Sequence, residues 1–329
     1  MKLVIVIPAL NEEMTLPQTL EDLPRSVEGF DEVAWVVVDD GSTDATSEVA
    51  ARYGVDEIVR FPQNRGLAAA FTAGIDAALR LGADVIVNSD ADNQYQASAI
   101  ADLVRPIVLG EADIVVGQRV GAGFEEFSPL KKRLQRLGSA AVRRASNTSV
   151  PDATSGFRAY SREAALRMNI FGRFSYTLES LIQAGRSGLS VTSVEVATNP
   201  STRTSRLFSN TPEYISRSVM QMARAYATYQ PLRTFLYLAA VAGVAASVVF
   251  GRFIYLFATG SGRGHIQSLI LGAILAMASF QLAVLGILAE LLSANRRLLE
   301  NILIRVRSFG LGHLLDDPPA SSPRGDQAE

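Results

Sequence analysis

Short apolar runs alternate with longer amphipathic ones through the first third of the chain. Leu3 to Ile7, Val33 to Val38, Glu57 to Phe61, Ala83 to Val87 and Ile114 to Val116 are brief runs rich in Val and Ile, the pattern of buried strands. Helical signals separate them. Thr15 ahead of Leu16-Pro17 reads as an N-cap with proline in the first turn. A helix is expected after Asp44, to about Tyr53, a long one opened by Asn64-Arg65-Gly66 and running to Leu81, and another from Ala97 to Leu109. Strands that alternate with helices predict an α/β fold with a mostly parallel, Rossmann-like sheet covered on both faces. The first strand–helix turn, Pro8-Ala9-Leu10-Asn11-Glu12-Glu13, lacks G-x-G-x-x-G. That counts against a dinucleotide-binding domain.

The pattern changes near residue 211. Ile215, Val219, Met222, Ala223 and Tyr226 share one helical face, so residues 211–232 read as an interfacial amphipathic helix, although a core-docked helix has the same spacing. Phe235 to Phe250 carries no charge, apolar character resumes after Arg252, and Ile266 to Leu292 is a second long apolar stretch. Each is long enough to cross a bilayer core of ~30 Å. Residues 233–293 are therefore expected to form a two-span membrane hairpin, turning at Thr259 to His265. Arg233 precedes the first span, and Arg296, Arg297, Arg305 and Arg307 follow the second. The positive-inside rule then places residues 1–210 and both termini in the cytoplasm, at the cell membrane. Leu298, Leu299, Ile302, Leu303 and Val306 predict a separate juxtamembrane helix over residues 294–309. Residues 310–329, rich toward their end in Pro, Ser and acidic groups, are expected to be disordered.

Composition removes several classes of chemistry. The chain has 329 residues, no cysteine, two histidines and a formal net charge of -2. Thiolate catalysis and zinc–cysteine sites are excluded, and nucleic acid is not an expected partner. Both histidines, His265 and His313, lie far downstream, so no histidine base serves residues 1–210. Met1 to Pro8 is too short in its apolar run for a signal peptide. Lys131, Lys132, Arg133, Arg136, Arg143 and Arg144 are either a solvated helix face or a surface for anionic lipid.

Against that background one segment stands out. Asn88-Ser89-Asp90-Ala91-Asp92-Asn93-Gln94 directly follows a predicted buried strand. Two carboxylates two residues apart at such a strand end project into the crevice where open α/β sheets bind ligands. With Gln94 they make an oxygen-only donor set suited to Mg²⁺ or Mn²⁺. A solvated turn or helix cap would read the same way in isolation. Downstream, Asp152-Ala153-Thr154-Ser155-Gly156-Phe157-Arg158 is turn-like. Asn199 to Leu207 is polar and carries Arg203 and Arg206, which suit phosphate binding.

Pro8-Ala9-Leu10-Asn11-Glu12, Asp39-Asp40-Gly41-Ser42-Thr43-Asp44, Asn64-Arg65-Gly66, Asp90-x-Asp92-x-Gln94 and Ser155-Gly156-Phe157-Arg158 occur in that order. Together they resemble a family 2 glycosyltransferase of the GT-A fold, in the branch of dolichol-phosphate mannose synthases and polyprenyl-phosphate glycosyltransferases with a C-terminal hairpin. The resemblance implies that Pro8, Ala9, Glu12 and Asp40 line the base and ribose of a nucleotide-sugar, with Asn11 and Asp39 in the same nucleotide-binding group. It implies that Asp90 contacts the nucleotide and positions the metal, that Asp92 and Gln94 ligate it, and that Arg119 lies near the sugar or acceptor. Arg203 and Arg206 match a basic pair that grips the diphosphate, and Asp152 would orient the acceptor or a nearby arginine, or cap the turn before Ser155. Leu10, where relatives often have an aromatic, and Asn93, where they often have Gly or Leu, depart from the pattern.

The implied reaction is inverting transfer of one hexose from GDP-mannose or a UDP-hexose to a polyprenyl or dolichyl phosphate at the bilayer. A homo-oligomer is one option for its assembly. The competing expectations are an inactive nucleotide-sugar-binding membrane scaffold and a transferase to another lipid or glycan. A processive polysaccharide synthase is excluded, because the only tryptophan, Trp35, lies in a predicted strand and no Q-x-x-R-W segment exists.

Overall fold

The structure, a computed structural model, describes residues 1–120, 150–168, 170, 176–199, 231–259 and 266–316. It separates into two compact units, Met1–Ser216 with Leu303–Glu329, and Arg217–Ile302.

The first unit is an α/β domain. Its described elements are β1 (Lys2–Ala9), α1 (Leu16–Asp22), β2 (Glu32–Asp39), α2 (Thr46–Arg52), β3 (Glu57–Arg60), α3 (Leu67–Arg80), β4 (Val85–Asn88), α4 (Ile100–Val108), β5 (Ile114–Val120), β6 (Arg158–Ser161), α5 (Arg162–Arg167), α6 (Thr177–Arg186) and β7 (Val191–Ala197). The sheet order is β3-β2-β1-β4-β6-β5-β7. Only β6 runs against the rest, pairing antiparallel with β4 and β5. Seven consecutive residues in each of β1 and β2 are buried, as expected where helices cover both faces.

Side chains alternate across a strand, so each face has its own partners. Leu3, Ile5, Ile7, Val33, Trp35 and Val37 join a core with Leu16 and Leu20 of α1, Val49 of α2 and Leu103 of α4. The opposite face carries Val6 and Val38, and α3 lies there with Gly74 against them. A Cβ on Gly74 would sit 2.2 Å from Val6 Cγ1 and 3.2 Å from Val38 Cγ2. The helix approaches the sheet that closely because the glycine leaves room.

Several sequence expectations need correction. Thr15 precedes α1, but its backbone is helical and its side chain makes no capping bond; the hydroxyl donates to Glu12 instead. The expected 97–109 helix begins as a 3-10 turn, Ala97–Ala99, before α4. Arg119 lies within β5 rather than after it, because the parallel register with β7 extends the strand to Val120.

The second unit holds most of two long helices, α7 (Pro231–Ala258) and α8 (Ile266–Asp316). Pro231–Ala258 and Ile266–Arg296 are each long and apolar enough to cross a membrane, with only 11% of each apolar stretch buried. That exposure is opposite to that of a soluble core helix. The two pack directly: Ser279 Oγ donates to the Ala239 carbonyl at 2.7 Å, and Gly272 lies against the Phe250 ring. Small residues at the contact are what close packing between apolar helices requires. The juxtamembrane segment 294–309 is no separate helix, and residues 310–316 are helical rather than disordered; both are continuous with α8. No proline interrupts propagation until Pro318, and a residue before proline disfavours the helix. The 211–230 segment, the basic stretch 131–144 and the 260–265 turn lie outside the described residues.

Gly74→Ala is expected to destabilise the solubilised full-length protein by about 1–3 kcal/mol, the usual cost of overpacking. Thermal unfolding measures this, and an unchanged midpoint would contradict the packing of α3 on β1 and β2.

Candidate active site

Strands β1, β2, β4 and β5 all point their carboxyl ends to one edge of the sheet. Ala9 pairs with Asp39, and Val6 with Asn88. β1 lies between β2 and β4, so successive crossovers leave it on opposite sides; this is the switch point at which open sheets form a crevice. β6 enters from the same edge, with Arg158 opposite Asn88 and Val116. Residues 152–157 therefore arrive beside the turn that follows β4.

Asp90 and Asp92 occupy that turn. Gly156 makes room for the first: a Cβ there would sit 3.0 Å and 3.1 Å from the two Asp90 carboxylate oxygens and 3.1 Å from the Tyr176 hydroxyl. Asn88 Nδ2 donates to the Gly156 carbonyl at 3.0 Å and to Tyr176 Oη at 2.8 Å, and Tyr176 Oη itself donates to the same carbonyl. Tyr176 is fixed by stacking on Phe71 at 4.0 Å between centroids. Burial pushes the Asp90 carboxyl up to about 7; the nearby charges of Asp92 and Glu12 push the same way, against Arg119 and Arg158. Tyr95, buried beside Asp90, is pushed up to about 12 by desolvation first and Asp90 second.

A desolvated carboxylate facing a second one is a place where a cation is favourable. The donors are oxygens only, which fits a hard divalent ion. Among the described residues no group of three or more acidic or histidine side chains converges. The protein would therefore offer the Asp90–Asp92 pair and the Gln94 amide, leaving other positions to phosphate and water, as is common for Mg²⁺.

Arg119, on β5, reaches the same edge. Its Nε donates to Asp152 Oδ2 at 2.8 Å, and its Nη2 to Asp152 Oδ1 at 3.1 Å and to Thr154 Oγ1 at 3.0 Å. Asp152 also accepts from the Thr154 backbone and hydroxyl, so it both holds the arginine and caps its own turn. Burial would raise the Asp152 carboxyl, but Arg119 and the Thr154 bonds bring it below its ordinary value. Behind this turn Arg158 is wholly buried. It donates to the carbonyls of Ala153, Ser155 and Thr177 and to Ser180 Oγ.

The nucleotide-side candidates form a second cluster. Pro8 and Ala9 end β1 in buried positions. Asn11, at φ 55°, donates from its backbone to Ser42 Oγ at 2.9 Å and accepts from Thr43 N through its side chain at 2.9 Å. Glu12 N donates to Thr46 Oγ1. Asp39 accepts from Ser42 N and from the Ser47 hydroxyl. Asp40 accepts from Arg65 N at 2.7 Å and Gly66 N at 2.9 Å, one per oxygen. Both carboxylates thus build the loops: Asp40 anchors the start of α3. Arg203 and Arg206 lie outside the described residues. Sequence reasoning included Asn88 in the acidic segment without giving it a role, and missed Tyr95 and Tyr176 around Asp90; being buried aromatics, these two gave only the signal of ordinary core residues.

Residues 4–167 match the family described as glycosyl transferase family 2. The chain is 31% identical to a dolichyl-phosphate hexose transferase of Haloferax volcanii, over 59% of this chain and 81% of that one. It is 28% identical to a polyprenol monophosphomannose synthase of Mycolicibacterium smegmatis, over 58% and 75%. The fold is similar to that of glucosyl-3-phosphoglycerate synthase from Mycobacterium tuberculosis, solved with Mn²⁺, UDP and glucosyl-3-phosphoglycerate: TM-score 0.53, 22% identity, covering 69% of this chain and 78% of that one. The sheet is thus of the GT-A type.

Replacing Asp152 tests the Arg119 anchor through pH. A carboxyl lowered in the folded state stabilises fully above its unfolded value, about 3.9, and that stabilisation is lost as pH falls through the folded value. Asp152→Ala should cost about 2 kcal/mol at pH 7, the scale of hydrogen bonds to a charged group. The difference from wild type should shrink in acid below that range. An equal loss at pH 7 and in acid would contradict the ion pair.

Proposed function

The chain belongs to glycosyl transferase family 2, and on that premise we propose that it transfers a single hexose, with inversion, from a nucleotide-sugar to a polyprenyl or dolichyl phosphate at the cytoplasmic face of a membrane. The observation that carries the lipid acceptor is the pair of exposed apolar helices in the same chain as the acidic site. The named activities of the Haloferax and Mycolicibacterium relatives support it. The arginines that flank the spans support the cytoplasmic orientation.

Asp90, Asp92 and Gln94 would hold Mg²⁺ or Mn²⁺. When bound, such an ion offsets the charge that builds on the departing diphosphate. Pro8, Ala9, Asn11 and Glu12, with the loops built by Asp39 and Asp40, shape the pocket for the nucleoside. Arg119 is held by Asp152 through Nε and Nη2, which fixes the guanidinium beside the acidic turn, where its charge would attract an anionic acceptor. Asp152 acts here as a positioning residue. Arg203 and Arg206 are assigned to the diphosphate. Asn199, four positions before Arg203, donates its N–H to the Gln94 carbonyl at 2.9 Å.

The acceptor phosphate oxygen attacks C1 of the hexose as the bond from C1 to the diphosphate oxygen breaks. One displacement inverts the anomeric centre, so an α-linked donor gives a β-linked lipid phosphate. The attacking oxygen is already ionised near neutral pH. No strong general base is required, in keeping with the lack of histidine within residues 1–210.

Screening GDP-mannose, UDP-glucose and UDP-N-acetylglucosamine against one polyprenyl phosphate tests this reading and identifies the donor. Nucleoside diphosphate release is expected with one donor, to depend on lipid phosphate and to stop with a chelator. Asp92→Ala should abolish release while leaving the unfolding midpoint near that of wild type, because Asp92 lies on a cleft turn outside the core. Full activity of this variant with a chelator present would overturn the metal assignment. Absence of lipid-dependent release with every donor would overturn the acceptor.

A further inference from the structure

The turn that carries Asp90, Asp92 and Gln94 is held from outside by groups that do not belong to it. Thr19 Oγ1, on α1, donates to the Ala91 carbonyl at 3.0 Å. Asp22, the last residue of α1, accepts from Asn93 Nδ2 at 2.7 Å. Where the chain leaves β7, Asn199 Nδ2 donates to the Asn93 carbonyl at 2.9 Å, and Asn199 N to the Gln94 carbonyl at 2.9 Å. Thr198 pairs with Tyr95 across an isolated bridge. Inside the turn, Gln94 N donates to Asp92 Oδ1 at 3.2 Å.

Asn93 is the centre of this arrangement. It is one of two non-glycine residues with positive φ among those described, at 55°, and it is 6% exposed. An asparagine tolerates this left-handed conformation better than most residues, and a glycine tolerates it freely. Its left-handed backbone lies between Asp92 and Gln94, so it sets how the carboxylate and the amide are presented. The side chain faces Asp22 rather than the carboxylates.

From these contacts we infer that Asp22, Asn93 and Asn199 are positioning residues, which set the affinity of the acidic turn for a divalent cation without touching it. The inference rests on the assignment of the cation to Asp90, Asp92 and Gln94 proposed above. Groups that orient metal ligands commonly change metal affinity by 10–100-fold when removed. The cluster borders a shallow surface hollow lined by Asp22, Gln96, Ala97, Ser98 and Asn199. Truncation at Asp22 or Asn199 therefore opens onto solvent instead of leaving a sealed cavity.

The test is Mn²⁺ binding by the purified full-length protein, followed by electron paramagnetic resonance with manganese alone and with manganese plus UDP. Asn93→Ala and Asn199→Ala should bind Mn²⁺ about tenfold more weakly than wild type, at the lower end of that range. Asn93→Gly also removes the side chain but keeps the left-handed backbone, and should lose less than Asn93→Ala. Asp22→Asn keeps an acceptor for Asn93 and should bind better than Asp22→Ala. A purely structural role would lower the unfolding midpoint of all five variants without this order in affinity. Wild-type affinity in folded Asn93→Ala and Asn199→Ala would overturn the inference; if those two do not fold, wild-type affinity in Asp22→Ala does so. Failure of wild type itself to bind Mn²⁺ under either condition would instead overturn the cation assignment, and this inference with it.

Discussion

Like charge at the end of β4 is the constraint around which the first unit is arranged. Asp90 is desolvated, and Asp92 and Glu12 add repulsion that raises its carboxyl. Carboxylates in that position persist only where other groups fix their geometry and offset their charge. Gly156 admits Asp90 against the 152–157 segment, and Arg119 and Arg158 oppose the negative charge. Arg158 acts on that charge from behind the turn, because its own hydrogen bonds go to three carbonyls and one hydroxyl. It thereby ties the turn that holds Asp152 to the start of α6. The same guanidinium thus has an electrostatic role and a structural one.

The sheet explains why these groups meet. Asp90 and Asp92 come from the turn after β4, Arg119 from the end of β5, and Asp152 and Gly156 from the approach to β6. A single reversed strand inserted between β4 and β5 delivers the last two to the edge where the parallel strands end. With β6 parallel, its approach would lie at the opposite edge. The nucleotide-side loops show similar economy. Asp39 and Asp40 are used in hydrogen bonds to neighbouring backbone and hydroxyl groups, so the chain's own contacts shape the loop after β2 and the start of α3.

Much of this was legible in the sequence, for physical reasons. β1, β2 and β4 are buried on both faces, and unbroken runs such as Leu3 to Ile7 announce that directly. The acidic pair was legible because carboxylates directly after such a run must sit at the end of a buried strand, where the sheet opens to ligands. β6 was not: Arg158-Ala-Tyr-Ser begins with a charge and has no strand periodicity of its own. Its form comes from β4 and β5, through pairings far away in sequence. The partner of Arg119 was open for the same reason, since Asp152 is 33 positions away. The separate helix over 294–309 was expected because its amphipathic pattern differs from the apolar stretch before it. Periodicity reports a change of surroundings, whereas helix continuity depends on the backbone, and no proline breaks the backbone before Pro318.

The acidic site and the exposed apolar helices in one chain lead to a single claim, that one hexose is placed on a lipid phosphate. Mass spectrometry combined with phosphorus NMR of the lipid extract, after reaction of the reconstituted protein with donor and polyprenyl phosphate, tests it most directly. The predicted result is a lipid heavier by one hexosyl residue, with its phosphorus converted from a monoester to a diester. A lipid carrying several hexoses, or an unchanged lipid beside a water-soluble glycoside, would contradict it.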